Sequence, residues 1–175
     1  MSVALEGEYL GLQVRINDLD HENQAFYRFC GQGELRFQKC TSCGLKRYPP
    51  TTACPWCSTI ECTWERVDGR GTLYSYGEVQ HAIMPVFREF TPYLLLLVEL
   101  DEQRNRPNPY DGLRMNGNLV TPDGTMAPPE LIGQVGIGTR LKVIFKPIGN
   151  SIALPLWTID ENAPQPEVPW RYPGE

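Results

Sequence analysis

Cys40, Cys43, Cys54 and Cys57 stand as C-x2-C, ten residues, then C-x2-C. Two residues between thiolates let a tight turn aim both sulfurs at one point, and two such turns supply the four ligands of a tetrahedral site. Gly44 follows the first pair and Pro55 lies inside the second, which suits two turns. Zinc accepts four thiolates without a redox partner and then has no open position for substrate, so the chemistry expected here is structural. A single iron in the same four-thiolate site would read identically. The competing readings are a pair of thioredoxin-like redox motifs or coincidence, but a redox motif normally occurs once, opening a helix after a strand. The spacing therefore predicts one structural Zn2+, with Fe as the alternative. Cys30 and Cys62 fall outside it and read as small, partly buried residues.

Little else in the chain could do chemistry. His21 and His81 are its two histidines, and there is no G-x-S-x-G elbow, phosphate loop or H-E-x-x-H. A self-contained acyl-transfer site needs a nucleophile, a base and an oxyanion hole brought together, so no catalytic residue is expected in this chain. The 175 residues, 41% hydrophobic and 21% charged, make a packed globular protein with room for one domain and a small satellite. MSVALEGEYL carries Glu6 and Glu8 where an export signal would be basic, and the longest apolar run, Tyr93–Val98, is far short of the ~20 residues of a spanning helix. The expectation is a reducing compartment, the cytoplasm, and no membrane.

The elements that must position the cysteines are short. Sixteen Gly and sixteen Pro favour strands and loops over long helices. Residues 22–30 place Ala25, Phe26, Phe29 and Cys30 on one helical face before Gly31 and Gly33, which predicts one short helix. Leu10, Leu12, Val14 and Ile16 alternate as in a strand, and Leu35 and Phe37 lead a ribbon strand into the first cysteine pair. Beyond Gly71 five strands are expected: Thr72–Gln80, Tyr93–Leu100, Leu113–Val120, Arg140–Lys146 and Ile152–Ile159. YLLLLVEL, apolar almost throughout, should lie deep in the sheet. Five short strands is the number of the OB-fold, a partly open barrel. The tail after Ala163, with four prolines, should be extended and either lie along a surface or stay mobile, and Trp170 and Tyr172 suggest that it docks.

With FYRFCGQGELRFQKCTSCGLKRYPPTTACPWC, GRGTLYSYGEVQH, TPYLLLLVELDE, GLRMNGNLV and IGQVGIGTRLKVIFKP in view, the chain resembles the DUF35 family, a rubredoxin-like zinc ribbon followed by an OB-fold, over roughly residues 22–160. Tyr48-Pro49-Pro50 and Gly69-Arg70-Gly71-Thr72 make the match more specific than the cysteine pairs alone. The resemblance implies a mainly β chain: an N-terminal helical segment over 1–34, a zinc ribbon over 35–70, a five-stranded OB-fold barrel over 71–160 and a Pro-rich tail over 161–175. It also implies a non-catalytic subunit in a hetero-oligomer with a thiolase-fold partner that carries the active-site Cys and His. The complex would make or break C–C bonds of acyl-CoA substrates as an acyltransferase or aldolase, and in some members this subunit helps to hold coenzyme A.

A coenzyme A site needs cations for phosphate, a flat face for adenine and an uncharged slot. Residues 31–71 carry +2, four acidic against six basic side chains, while residues 72–100 carry −2, three acidic against one basic. Lys46, Arg47, Tyr48 and Trp56 are the candidates for a cleft between ribbon and barrel, with His81 as a further polar group. The plainer reading of Lys46 and Arg47 is compensation of the metal-thiolate charge. Gln103–Asp111 and Thr121–Pro129 exceed a short turn, and Arg104 and Arg106 in the first would extend over a partner's active site unless the loop is simply a solvated insertion. The rival class is a nucleic-acid-binding module stacking bases on Tyr74 and Tyr76, which the acidic first strands disfavour.

Overall fold

The computed structural model describes residues Val3–Pro173; residues 1, 2, 174 and 175, the ends of the expected first and last segments, lie outside it. Its contacts divide the chain into two compact units. One holds the residues up to Asp68 with Glu102–Leu113 and Phe145–Pro155, and the other holds Gly69–Asp101, Arg114–Ile144 and the residues from Leu156 on.

The first unit begins with a hairpin, β1 (Leu5–Tyr9) and β2 (Leu12–Ile16), paired Tyr9 to Leu12 across a two-residue turn. Leu10 and Gly11 both take positive φ, 51° and 83°, as such a turn requires. The N-terminal segment is thus a hairpin before it is a helix, and the Leu-Gly turn lacks the usual Asn-Gly signature. Gly7 lets β1 approach residue 148, since a Cβ there would lie 2.4 Å from the Ile148 carbonyl oxygen. Helix α1 (His21–Gly31) is capped by Asp20, whose carboxylate accepts from the Asn23 N–H at 3.2 Å. Its Phe26 packs between Phe37 and Tyr48, with ring centroids 6.2 and 5.6 Å away. The ribbon is a three-stranded antiparallel sheet in the order β4 (Lys46–Arg47), β3 (Leu35–Cys40), β5 (Cys62–Val67).

A five-stranded sheet runs β10 (Ala153–Ile159), β9 (Arg140–Pro147), β6 (Arg70–Val79), β7 (Tyr93–Leu100), β8 (Arg114–Asn118). All five strands expected beyond Gly71 are present with ends shifted by at most two residues. The long β6 pairs with β9 through Arg70–Thr72 and with β7 from Gly71 to Val79, changing register with β7 between Leu73 and Ser75. Such a bulge bends a strand and increases its twist. The expected barrel is not a continuously closed ladder. Between the tail of β8 and β10 there is one isolated parallel bridge, Leu119 to Trp157, with the Val120 N–H donating to the Trp157 carbonyl at 2.8 Å. Trp157, Leu73, Leu94, Leu96, Val98, Met115 and Leu141 fill the interior of this second unit.

One expectation is corrected in β7. Leu94, Leu96, Val98 and Leu100 are buried, but Leu95 is 43% exposed and Leu97 half-buried, so the apolar strand has one wet face. A sequence that is apolar on both faces reads as fully buried whether or not something covers the second face. The tail docks as expected: Ile137 and Trp170 exchange backbone hydrogen bonds of 2.8 and 3.2 Å. A short helix, α2 (Pro129–Ile132), starts at the last residue of the second expected loop.

Candidate metal centre and its surroundings

Each cysteine pair is closed by a residue in the left-handed region. After the first, Gly44 (φ 74°) donates its N–H to the Cys40 carbonyl at 3.0 Å; after the second, Ser58 (φ 63°) donates to the Cys54 carbonyl at 2.8 Å. The turns return the chain onto itself through Cys40 N–H to Leu45 and Cys54 N–H to Thr59. Both therefore present two sulfurs inward, although only the first carries the expected glycine.

The four ligand sulfurs lie within 4.8 Å of one another, with Cys40 to Cys57 at 3.5 Å and Cys43 to Cys54 at 3.6 Å. Bonds of ~2.3 Å from four sulfurs to one zinc ion put neighbouring sulfurs about 3.8 Å apart, so the cluster has the size of a tetrathiolate site. The electrostatics point the same way. Hydrogen bonds from Thr59 bring the Cys57 thiol down to about 6, and the Cys43 N–H lowers Cys40. The Leu45 N–H favours the Cys43 thiolate, yet burial and the adjoining sulfurs push that thiol up to about 11. Thiolates this close repel, and a divalent cation removes the conflict. The donor set suits zinc. Cys30, buried against the core, is pushed up to about 12 by desolvation and is inert beside these four.

Lys46 and Arg47 use their charge inside the ribbon. Lys46 Nζ lies 2.7 Å from Glu65, which also takes Lys39 at 3.1 Å, and this double contact holds the Glu65 carboxyl below the usual range. Arg47 is buried; its Nε donates to Gln38 Oε1 at 2.9 Å and its Nη2 to the Thr51 carbonyl at 3.0 Å. Gln38 Oε1 also accepts the Thr51 N–H at 2.8 Å, so one amide oxygen ties β3, β4 and the loop before the second pair. Tyr48 packs against Phe26 and Phe37, and burial raises its hydroxyl above the usual range. The two cations and the tyrosine placed at the centre of the expected cleft are thus engaged structurally. Trp56, Arg104 and Arg106 are exposed in this unit, and His81 is exposed just past β6 in the other.

The loop after β7 hides a residue that its polar sequence did not disclose. Gln103 is buried, and its carboxamide pairs with β4 as a strand would: Oε1 accepts the Lys46 N–H at 2.7 Å and Nε2 donates to the Lys46 carbonyl at 2.9 Å. The stacking platform of the nucleic-acid reading is also occupied. The Arg114 guanidinium sits 3.6 Å above the Tyr74 ring and pairs with Glu99, and Tyr76 is buried with its ring 5.2 Å from Tyr172. Among the described residues no helix is long and apolar enough to cross a membrane.

Two family models match the chain: the rubredoxin-like zinc ribbon domain of ChsH2 over residues 29–60, and its C-terminal OB-fold domain over residues 64–146. The chain belongs to the ChsH2 family of DUF35 proteins. A solved ChsH2-family structure, described as the Ltp2-ChsH2(DUF35) aldolase, superposes with a TM-score of 0.61 at 27% identity, covering 82% of this chain and 96% of that one. A DUF35 protein of unknown function from Sulfolobus solfataricus aligns at 16% identity and a TM-score of 0.48 over 79% of this chain and 85% of that one. A probable enoyl-CoA hydratase alpha subunit of Thermomonospora curvata is 33% identical over 104 residues, 58% of this chain. This chain spans about a quarter of that relative's length, 28%.

Proposed function

We propose that the chain is the non-catalytic zinc-containing subunit of a thiolase-type complex that cleaves or forms C–C bonds in acyl-CoA substrates. The observation that carries this reading is the likeness to the ChsH2-type chain of an aldolase complex over nearly all of that chain's length. Cys40, Cys43, Cys54 and Cys57 hold one Zn2+, which anchors the ribbon and takes no part in the reaction because four thiolates leave it no open position. The reacting Cys and His belong to the thiolase-fold partner. Contact with coenzyme A falls to Trp56 and Arg106, exposed in the first unit.

The test is purification of the tagged chain from its own cells, followed by acyl-CoA cleavage assays on the chain, its partner and the reconstituted pair. Recovery of a thiolase-fold protein and full activity only in the pair is the expected outcome. Activity of the isolated chain, or no such protein among those recovered, overturns the reading.

A further inference from the structure

The wet face of β7 lies one strand in from the β8 edge of the five-stranded sheet. Tyr93, Leu95 and Leu97 point outward from this strand, between Ser75, Gly77 and Val79 of β6 and Asn116 and Asn118 of β8. Small neighbours leave the leucines uncovered: a Cβ on Gly77 would meet nothing within 4 Å, and a shallow groove of about 230 Å³ runs over Ser75, Gly77, Leu95, Leu97 and Asn116. Beside it the tail presents two aromatic rings. Trp170 and Tyr172, 50% and 38% exposed, stack edge to face at 4.8 Å. They are held in place. Arg171, the residue between them in sequence, donates to the Ile132 and Val135 carbonyls at 2.8 and 2.7 Å and to Glu78 at 3.1 Å, while Tyr76 Oη accepts the Tyr172 N–H at 3.0 Å and Tyr172 Oη lies 3.4 Å from Ser75 Oγ. Rigid aromatic anchors around an apolar centre are what a protein interface uses for most of its affinity.

Charge selects the occupant. Among the described residues no charged side chain lines the groove, and Glu99 and Glu78 at its margins are matched by Arg114 and Arg171, each at 3.1 Å. The second and third strands of an OB-fold commonly form its ligand face, and β7 and β8 hold those positions here. A polyanion or an anionic membrane finds no free cation on it, whereas an uncharged apolar protein surface breaks no ion pair by covering it. Because β7 is paired on both sides, the partner packs on the face and adds no strand. We infer that the outer face of β6, β7 and β8, centred on Leu95 and Leu97 and rimmed by Trp170 and Tyr172, is where the catalytic subunit docks. This rests on the assembly proposed above.

The experiment uses the purified thiolase-fold protein recovered with the native chain, titrated calorimetrically with native chain, Leu95→Glu, Tyr172→Ala and, as a control on the other unit, Leu19→Glu. Melting temperature and metal content report folding. Leu95→Glu should weaken the complex about 30-fold or more, the size of an interface hot spot, Tyr172→Ala about tenfold, and Leu19→Glu less than about twofold. Hydroxyl-radical footprinting of the native proteins, which needs no variant, should show Leu95, Leu97 and Tyr172 shielded in the complex. Unchanged affinity with unchanged labelling overturns the docking face while leaving the proposed function standing. Loss of self-association in place of partner binding assigns the face to a second copy and also overturns it. A native chain with no thiolase-fold partner overturns both.

Discussion

Four sulfurs in the ribbon are held by turns that differ in residue type yet agree in conformation, Gly44 in one and Ser58 in the other. The metal therefore depends on the cysteines more than on glycine. Cys54→Ser should drop bound zinc well below one equivalent and melt the ribbon, because binding energy at such a site is folding energy. Cys62→Ser, outside the tetrad, should retain one equivalent. Elemental mass spectrometry beside thermal melts checks both and identifies the metal. A second single-residue dependence lies at Gln38, whose side-chain oxygen takes hydrogen bonds from Arg47 and Thr51 in the interior. Gln38→Leu leaves a buried cation and a buried N–H without that acceptor, which should cost about 1–3 kcal/mol in urea unfolding.

At the scale of elements, the segment Asp101–Gln103 is a short 3-10 turn that delivers Gln103 into the ribbon edge. Read from composition, residues 103–111 are a polar insertion. In the fold their first residue stands in for a strand partner of β4, while Arg104 and Arg106 are exposed. Gln103→Ala should lower stability by about 1–3 kcal/mol by stranding the Lys46 N–H and carbonyl, whereas deletion of residues 104–110 closed by a short turn should cost much less. Paired urea unfolding curves separate the two. β7 teaches the complementary point, since its inward residues are packed and its outward leucines are not.

At the scale of the whole molecule, the net charge of −5 disfavours a grip on a phosphate backbone, and in the OB-fold sheet Arg114 and Arg171 are paired with Glu99 and Glu78. One unit carries the four-cysteine cluster and the other an apolar sheet face. Acyl-CoA C–C bond cleavage should accordingly be absent from the isolated chain and appear on adding the thiolase-fold subunit, as read by single-turnover product formation.

How far the sequence reached depended on the range of the interaction. The metal tetrad was legible because two turns of four residues are local objects with a fixed spacing. Helix α1 and the five OB strands were legible because periodicity and turn residues are local too, with ends within two residues of those expected. The Leu10-Gly11 turn was missed since leucine rarely takes positive φ, and Lys46 and Arg47 stood between compensation of the thiolate charge and a ligand cleft, since nothing in their neighbourhood named Glu65 or Gln38 as partners. Gln103 meeting β4 across 57 positions is the same case. The sequence by itself determined which residues bind metal-sized targets and which segments become strands, because those follow from neighbours along the chain. Only tertiary structure decided which cations are already neutralised and which leucines stay wet, because both depend on groups that distant parts of the chain bring alongside.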